Sequence, residues 1–135
     1  MDLSQVSGVR TIVLVVEDEP LLRMAAVDMV EYAGFEALEA CNAAEAVAIL
    51  EGRTDIHIVF TDIDMPGDMD GMRLAAIIRD RWPPIHLIVT SGHVASRDLR
   101  LPPDAVFFGK PYDEWQVTQE MLKRSLNSGA GPTGA

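Results

Sequence analysis

Residues Thr11–Pro20 read TIVLVVEDEP, a short apolar and mostly β-branched run that ends in three acids and a proline. A short run that is apolar on both faces is typical of a central strand in a parallel sheet. Pro20 has the fixed φ that suits a first helical turn, so a helix should follow directly. The stretch therefore predicts a strand, an acidic turn and a helix, which is the repeating unit of an α/β fold.

The same alternation continues along the chain. Further apolar runs predict strands at Phe35–Ala40, Ile56–Thr61, Ile85–Thr90 and Ala105–Phe108. Segments with helical periodicity predict helices from Pro20 to about Ala33, over Ala43–Glu51, from Gly71 to Arg81, and from Glu114 to about Leu126. This order predicts an α/β fold with a doubly wound, five-stranded parallel sheet, right-handed crossovers and helices on both faces.

One segment departs from the regular pattern. Val94–Asp104 can hold one or two helical turns, but Pro102-Pro103 would end any helix there. We therefore expect the fourth of five helices to be short or irregular. Residues 1–9 show no periodicity and residues 127–135 are rich in Gly, Ala and Pro, which predicts flexible ends around one domain over residues 10–126.

Length and composition exclude several classes of protein. The chain has 135 residues, enough for one domain, and its 11 basic and 21 acidic residues give a net charge of −10. Such a charge disfavours direct binding to nucleic acid and to anionic membranes. Cys41 is the one cysteine, and the sequence has no apolar run of membrane-spanning length and no signal peptide at its start. We therefore expect a cytoplasmic protein.

Polar residues stand where the predicted strands end, and in a parallel sheet those ends share one edge. Glu17, Asp18 and Asp62 would crowd three carboxylates there, which is costly without a cation. A few hard oxygen ligands on an open edge favour Mg²⁺. Lys110 and a hydroxyl group would complete a site suited to phosphoryl transfer.

These residues stand in motifs that resemble those of a known family, the receiver domains of two-component response regulators. The matching motifs are VVEDEP with Glu17-Asp18, TDIDMPGDMDG with Asp62, TSGH with Ser91 and FFGKPY with Lys110-Pro111. Each motif is weak alone, but together, in this order and context, they are specific. The resemblance covers Thr11 to Leu126 and implies a flavodoxin-like fold.

The resemblance also implies roles for individual residues. Asp62 would be the phosphoacceptor, and Lys110 would bind a phosphoryl oxygen. Asp18 would bind Mg²⁺ directly and Glu17 largely through water, while the backbone carbonyl of Asp64 would be a further protein ligand.

Three further roles follow from the same resemblance. The site hydroxyl is Ser91 if the motifs are aligned on Gly92, and Thr90 if they are aligned on the end of the apolar run. Phe107 would be the switch aromatic. The side chain of Asp64 would lie beside the phosphoryl group and modulate the lifetime of the phosphorylated state.

The resemblance implies a sensor histidine kinase or a histidine phosphotransfer protein as phosphoryl donor. It also implies a downstream protein target and allows a homodimer. We expect a single-domain response regulator rather than an enzyme, with at most weak self-phosphorylation and autodephosphorylation. One alternative is a receiver-like adaptor whose output does not depend on phosphorylation. Another is a phosphatase of the haloacid-dehalogenase type, because Asp62-Ile63-Asp64 forms a DxD motif, although here it follows the third predicted strand.

Overall fold

A computed structural model of the protein describes residues 10–65, 71–92 and 101–129. Its strands are β1 (Ile12–Val16), β2 (Glu36–Ala40), β3 (Ile56–Asp62), β4 (His86–Ser91) and β5 (Val106–Gly109). Its helices are α1 (Pro20–Tyr32), α2 (Ala43–Gly52), α3 (Gly71–Arg81) and α4 (Glu114–Gly129). Within the described ranges, no helix is both long enough and apolar enough to cross a bilayer.

The five strands form one sheet in the order β2-β1-β3-β4-β5, and every neighbouring pair is parallel. This confirms the predicted α/β fold. The irregular fourth helix predicted within Val94–Asp104 cannot be compared in full, because residues 93–100 lie outside the described residues. Residues 101–104 form a turn rather than a helix.

Strand β1, which contains the apolar run IVLVV, is buried along its whole length. Val13 and Val15 pack on one face of the sheet against residues of α1 and α4. Leu14 and Val16 pack on the opposite face against residues of α2 and α3. Helices therefore cover both faces, which explains why this strand reads as a continuous apolar run.

Local capping signals set the ends of two helices. The Asn42 side chain accepts a hydrogen bond from the Glu45 amide at 2.7 Å, so that α2 begins at Ala43 as predicted. Gly34 has a φ of 99°, and its amide donates to the Glu31 carbonyl at 3.0 Å just after α1. A residue without a Cβ adopts this left-handed backbone at little cost, so α1 stops there.

The structure differs from the prediction at the end of α4. This helix continues to Gly129, beyond the predicted end at Leu126. Extending an existing helix costs little free energy per residue, so a segment with weak helical signals can be added to its end.

The apolar face of α1 is only partly covered by the rest of the protein. Leu21 and Leu22 share the apolar pattern, yet they are 72% and 49% exposed. The residues of α1 that the sheet covers are Ala26, Met29 and Val30. Periodicity identifies an apolar face, but it does not reveal how much of that face a neighbour covers.

Gly71 brings α3 against the end of β3. A Cβ atom added to Gly71 would lie 2.4 Å from the Cα of Ile63 and 2.5 Å from the carbonyl oxygen of Asp62. Both atoms belong to the backbone and cannot move aside cheaply. Only glycine therefore allows this approach, which fixes the backbone immediately after β3.

Candidate functional site

Asp62, the last residue of β3, lies buried at the carboxyl edge of the sheet. Its Oδ1 accepts a hydrogen bond from the Asp64 amide at 2.9 Å, and its Oδ2 accepts one from Lys110 Nζ at 2.7 Å. Each carboxylate oxygen therefore has a donor of its own. These bonds hold the side chain in one orientation at the predicted phosphoacceptor position.

Lys110 follows β5 and links two carboxylates. Its Nζ lies 2.7 Å from Asp62 Oδ2 and 3.3 Å from Glu17 Oε1. Burial alone would lower the pKa of Lys110, but the hydrogen bond and charge of Asp62, with the charge of Glu17, outweigh burial and raise it. Lys110 is therefore a persistent cation between the two acids. Its backbone amide donates to the Ser91 carbonyl at 2.9 Å, and its peptide bond to Pro111 is cis.

Glu17 is a buried carboxylate in the turn after β1. Burial raises its pKa, and the charge of Asp62 acts in the same direction. The amide of Glu19, which donates to Oε2 at 3.1 Å, and the ammonium of Lys110 oppose this rise without cancelling it. The surroundings of Glu17 therefore disfavour its negative charge, and a divalent cation would relieve that cost.

The backbone of this turn is held from both sides. The Glu17 amide donates to the Ala40 carbonyl at 3.1 Å, and the Arg23 guanidinium donates to the Glu17 carbonyl at 3.0 Å. Arg23 also forms an ion pair with Glu39 at 3.2 Å. The acidic turn is thus tied to both β2 and α1.

The three predicted acids do come together. Glu17, Asp18 and Asp62 each offer a carboxylate oxygen, and these oxygens all lie within 4.8 Å of one another. Hard oxygen ligands at this spacing, with one carboxylate whose charge is disfavoured, fit Mg²⁺, which binds few carboxylates and keeps several waters. The carbonyl of Asp64 as a further ligand stays a prediction.

Asp64 makes contacts that the sequence did not reveal. Its Oδ2 accepts hydrogen bonds from Ser91 Oγ and from the Gly92 amide, both at 2.9 Å, and its Oδ1 lies 3.1 Å from Ser91 Oγ. Asp62 pairs with Thr90 in the sheet. Asp64, two residues further along the chain, therefore lies beside Ser91 and Gly92, which follow Thr90. To predict this contact from the sequence, one would have to know which residues of β3 pair with which residues of β4.

The two candidate hydroxyl residues have different surroundings, although both are buried. Ser91 contacts the carboxylate of Asp64. Thr90, by contrast, borders a cavity of about 410 Å³ together with Glu17, Asp62 and Lys110. Both assignments of the site hydroxyl therefore remain predictions.

The rest of that cavity has apolar walls for which the sequence carries no local signal. It opens between α1 and the residues after β5, and Leu22, Ala25, Phe60 and Tyr112 line it. The rings of Phe60 and Tyr112 meet edge to face with their centroids 5.6 Å apart. The partly exposed Leu22 of α1 is therefore part of the surroundings of the acidic site.

Phe107, the predicted switch aromatic, lies in β5 and is half-buried. It pairs with Val89 of β4, whereas the neighbouring Phe108 packs against the core beside α1 and α4. Because side chains alternate along a strand, the two rings belong to opposite faces of the sheet. A switching role for Phe107 stays a prediction.

The fold and its acidic edge define a flavodoxin-like α/β domain whose site combines carboxylates with a lysine. Comparison with known families narrows this class. Residues 13–101 match the model of a family described as the response regulator receiver domain. The chain belongs to this family, whose members accept phosphoryl groups, typically bind Mg²⁺ and interact with histidine kinases and phosphotransfer proteins.

Individual relatives agree with this assignment. The chain is 36% identical over 128 residues to sensor kinase CckA of Brucella abortus (strain 2308), a match that covers 90% of this chain and 13% of that protein. It is 31% identical over 96 residues to sensor protein TorS of Escherichia coli (strain K12), covering 71% of this chain and 10% of that protein. The chain thus corresponds to a small part of each of these relatives.

A solved structure supports the fold independently. The chain superposes on the CheY-like response regulator receiver domain protein from Methanospirillum hungatei JF-1 with a TM-score of 0.80. The two share 20% sequence identity, and the match covers 92% of this chain and 100% of that one.

Proposed function

We propose that this receiver domain accepts a phosphoryl group on Asp62 from a phosphohistidine of a sensor histidine kinase or a histidine phosphotransfer protein. Phosphorylation then changes the surface that a downstream protein binds. The observation that carries this proposal is the position of Asp62. It is buried at the end of β3, 2.7 Å from Lys110 Nζ and grouped with Glu17 and Asp18.

The proposed reaction is a direct transfer. A carboxylate oxygen of Asp62 attacks phosphorus, a P–O bond forms, the P–N bond of phosphohistidine breaks, and the imidazole leaves as it takes up a proton. Lys110 neutralises the reacting carboxylate and can then pair with a phosphoryl oxygen. When Mg²⁺ is bound by Glu17, Asp18 and Asp62, it supplies charge neutralisation for the phosphoryl oxygens.

The same contacts favour a phosphoacceptor over a phosphatase that acts on added substrates. The DxD motif begins at the last residue of β3, and its second carboxylate, that of Asp64, is hydrogen-bonded to Ser91 and Gly92. We therefore propose at most weak self-phosphorylation and autodephosphorylation. A cytoplasmic location is also part of the proposal.

Phosphorylation with a small acyl phosphate in the presence of Mg²⁺ tests the proposal. We expect wild type to gain the mass of one phosphoryl group, which hydroxylamine removes because the product is an acyl phosphate. Asp62→Asn should gain none, and chelation of Mg²⁺ should prevent labelling of wild type. Asp80→Asn, which removes an exposed acid of α3, is the matched control and should be labelled like wild type. Equal labelling of Asp62→Asn and wild type would contradict the proposal.

The adaptor alternative predicts a different output. The expected irregularity of Val94–Asp104 motivates it, and residues 94–100 of that segment lie outside the described residues. Partner affinity measured with and without phosphorylation decides the question, because a switch requires different affinities of the two states. Equal affinities would favour the adaptor.

A further inference from the structure

Asp64 holds two hydrogen-bond donors beside the proposed phosphoacceptor. Its carboxylate accepts bonds at 2.9 Å from Ser91 Oγ and from the Gly92 amide. We propose that Asp64 is a positioning residue that competes with the phosphoryl group on Asp62 for these two donors. This inference rests on the proposed function, because it concerns a phosphoryl group bound to Asp62. It also takes Ser91, rather than Thr90, as the hydroxyl that reaches that group.

The backbone around these residues is fixed, which limits what can move. The Ile63 amide donates to the Thr90 carbonyl at 2.9 Å, and the Lys110 amide donates to the Ser91 carbonyl at 2.9 Å. The Asp64 amide donates to Asp62 Oδ1, also at 2.9 Å. The ends of β3, β4 and β5 are therefore linked through main-chain groups. Rotation of the side chains of Asp64 and Ser91 is the change that this arrangement permits most easily.

The competition follows from the chemistry of the groups. A hydroxyl has a single hydrogen to donate, and the Ser91 hydroxyl presents it to the Asp64 carboxylate. A phosphoryl group brings about −1.5 to −2 charge and three strong acceptor oxygens to the same edge of the sheet. If a phosphoryl oxygen is to accept the Ser91 hydrogen, Asp64 must release it. The charge of Asp64 also repels the phosphoryl group, but this second effect does not require Ser91.

The two effects can be separated with a double-mutant cycle at Asp64 and Ser91. Beryllofluoride with Mg²⁺ serves as the phosphoryl analogue, because it binds reversibly and its affinity can be measured by calorimetry. We expect Asp64→Ala to bind it about tenfold more tightly than wild type, the size expected when a charge-assisted hydrogen bond no longer competes. In the Ser91→Ala background the same substitution should improve affinity by about threefold or less, because only repulsion is relieved.

Two controls accompany the cycle. Asp80→Asn removes the same charge from the exposed surface of α3 and should leave the affinity within about twofold of wild type. Thermal unfolding shows whether each variant is folded. If Asp64→Ala does not fold, Asp64→Asn replaces it, because the amide keeps the shape of the side chain but loses the charge that strengthens the bond to Ser91.

The outcomes distinguish this inference from the proposed function. If wild type is phosphorylated on Asp62, and Asp64→Ala raises the affinity for beryllofluoride more when Ser91 is present than in the Ser91→Ala background, the competition and the proposed function both stand. If wild type is phosphorylated but Asp64→Ala gains equally in both backgrounds, or gains nothing, the competition is overturned and the proposed function stands. If wild type is neither phosphorylated nor bound by beryllofluoride, both are overturned.

Discussion

Lys110 is the residue on which the acidic edge of the sheet depends most directly. Its ammonium lies between Asp62 and Glu17 and neutralises part of the charge that the carboxylates bring together. Glu17 is less well compensated, because burial and the neighbouring charge of Asp62 raise its pKa. The site therefore combines one well-paired carboxylate with one that a cation would stabilise.

Glu17→Gln should raise thermal stability in the absence of Mg²⁺ and reduce the stabilisation that Mg²⁺ produces. A raised pKa means that the folded state favours the protonated form of Glu17, so the free energy of unfolding falls as pH rises through the pKa. Glutamine removes this cost but also removes a carboxylate that is expected to help bind Mg²⁺. We expect an increase of a few degrees in the unfolding temperature without Mg²⁺ at pH 7, and a smaller shift on adding Mg²⁺.

The exposed Glu31 of α1 offers a matched control. Glu31→Gln should respond to Mg²⁺ like wild type, with little change in the unfolding temperature. Glu17→Gln could instead be less stable than wild type without Mg²⁺, or its unfolding temperature could rise as much as that of wild type when Mg²⁺ is added. Either result would contradict the account of Glu17 as a carboxylate whose charge is disfavoured until a cation binds.

At the scale of elements, the first residue of α3 lies directly against the backbone at the end of β3. The sequence predicts that a helix begins at Gly71, which gives this residue no role beyond the helix end. The structure shows that it also allows backbone-to-backbone contact with Asp62 and Ile63. The position of the proposed phosphoacceptor, Asp62, thus depends on a residue that carries no chemistry of its own.

Gly71→Ala should therefore destabilise the protein and disturb the site. The added methyl would meet backbone atoms at 2.4 and 2.5 Å, and relieving such overpacking costs about 1–3 kcal/mol. Chemical denaturation measures this loss, and Asp62 should also be phosphorylated more slowly. Gly52→Ala, at the end of α2, is the matched control, since a Cβ there meets nothing within 4 Å and alanine favours helix. Similar stability of the two variants would contradict this account.

At the scale of the whole molecule, sheet topology determines where the charge is concentrated. The order β2-β1-β3-β4-β5 places β1 and β3 side by side, so the acids that follow them share one edge. Part of the net charge of −10 thus lies at a site where Lys110 and a metal can offset it. The charge that disfavours nucleic acids also builds the proposed phosphoryl site.

Protonation of His86, at the start of β4, should make the stability of the whole molecule depend on pH. Burial lowers the pKa of His86 from 6.5, and the positive charge of Arg124 adds to this effect, while Asp104 opposes it. Between the lowered pKa and the unfolded value, the unfolded state binds more protons, so the free energy of unfolding falls as pH decreases through this range. Denaturation at pH 7.5 and 5.5 should show this loss in wild type and a smaller loss in His86→Gln. The same pH dependence in both proteins would exclude His86 as a cause.

The amino-acid sequence by itself determined the α/β class, the five strands and the acids and lysine that the structure brings together, with Asp62 among them as the proposed phosphoacceptor. These features carry local signals, because a strand, a helix cap or an acidic turn is specified by residues close together in the chain. Only the tertiary structure decided that Ser91 and Gly92 bind Asp64, that Gly71 touches the backbone of β3, and that Leu22 stays partly exposed beside the site. Such contacts join residues far apart in sequence, so they depend on strand register and helix packing, which no local pattern specifies.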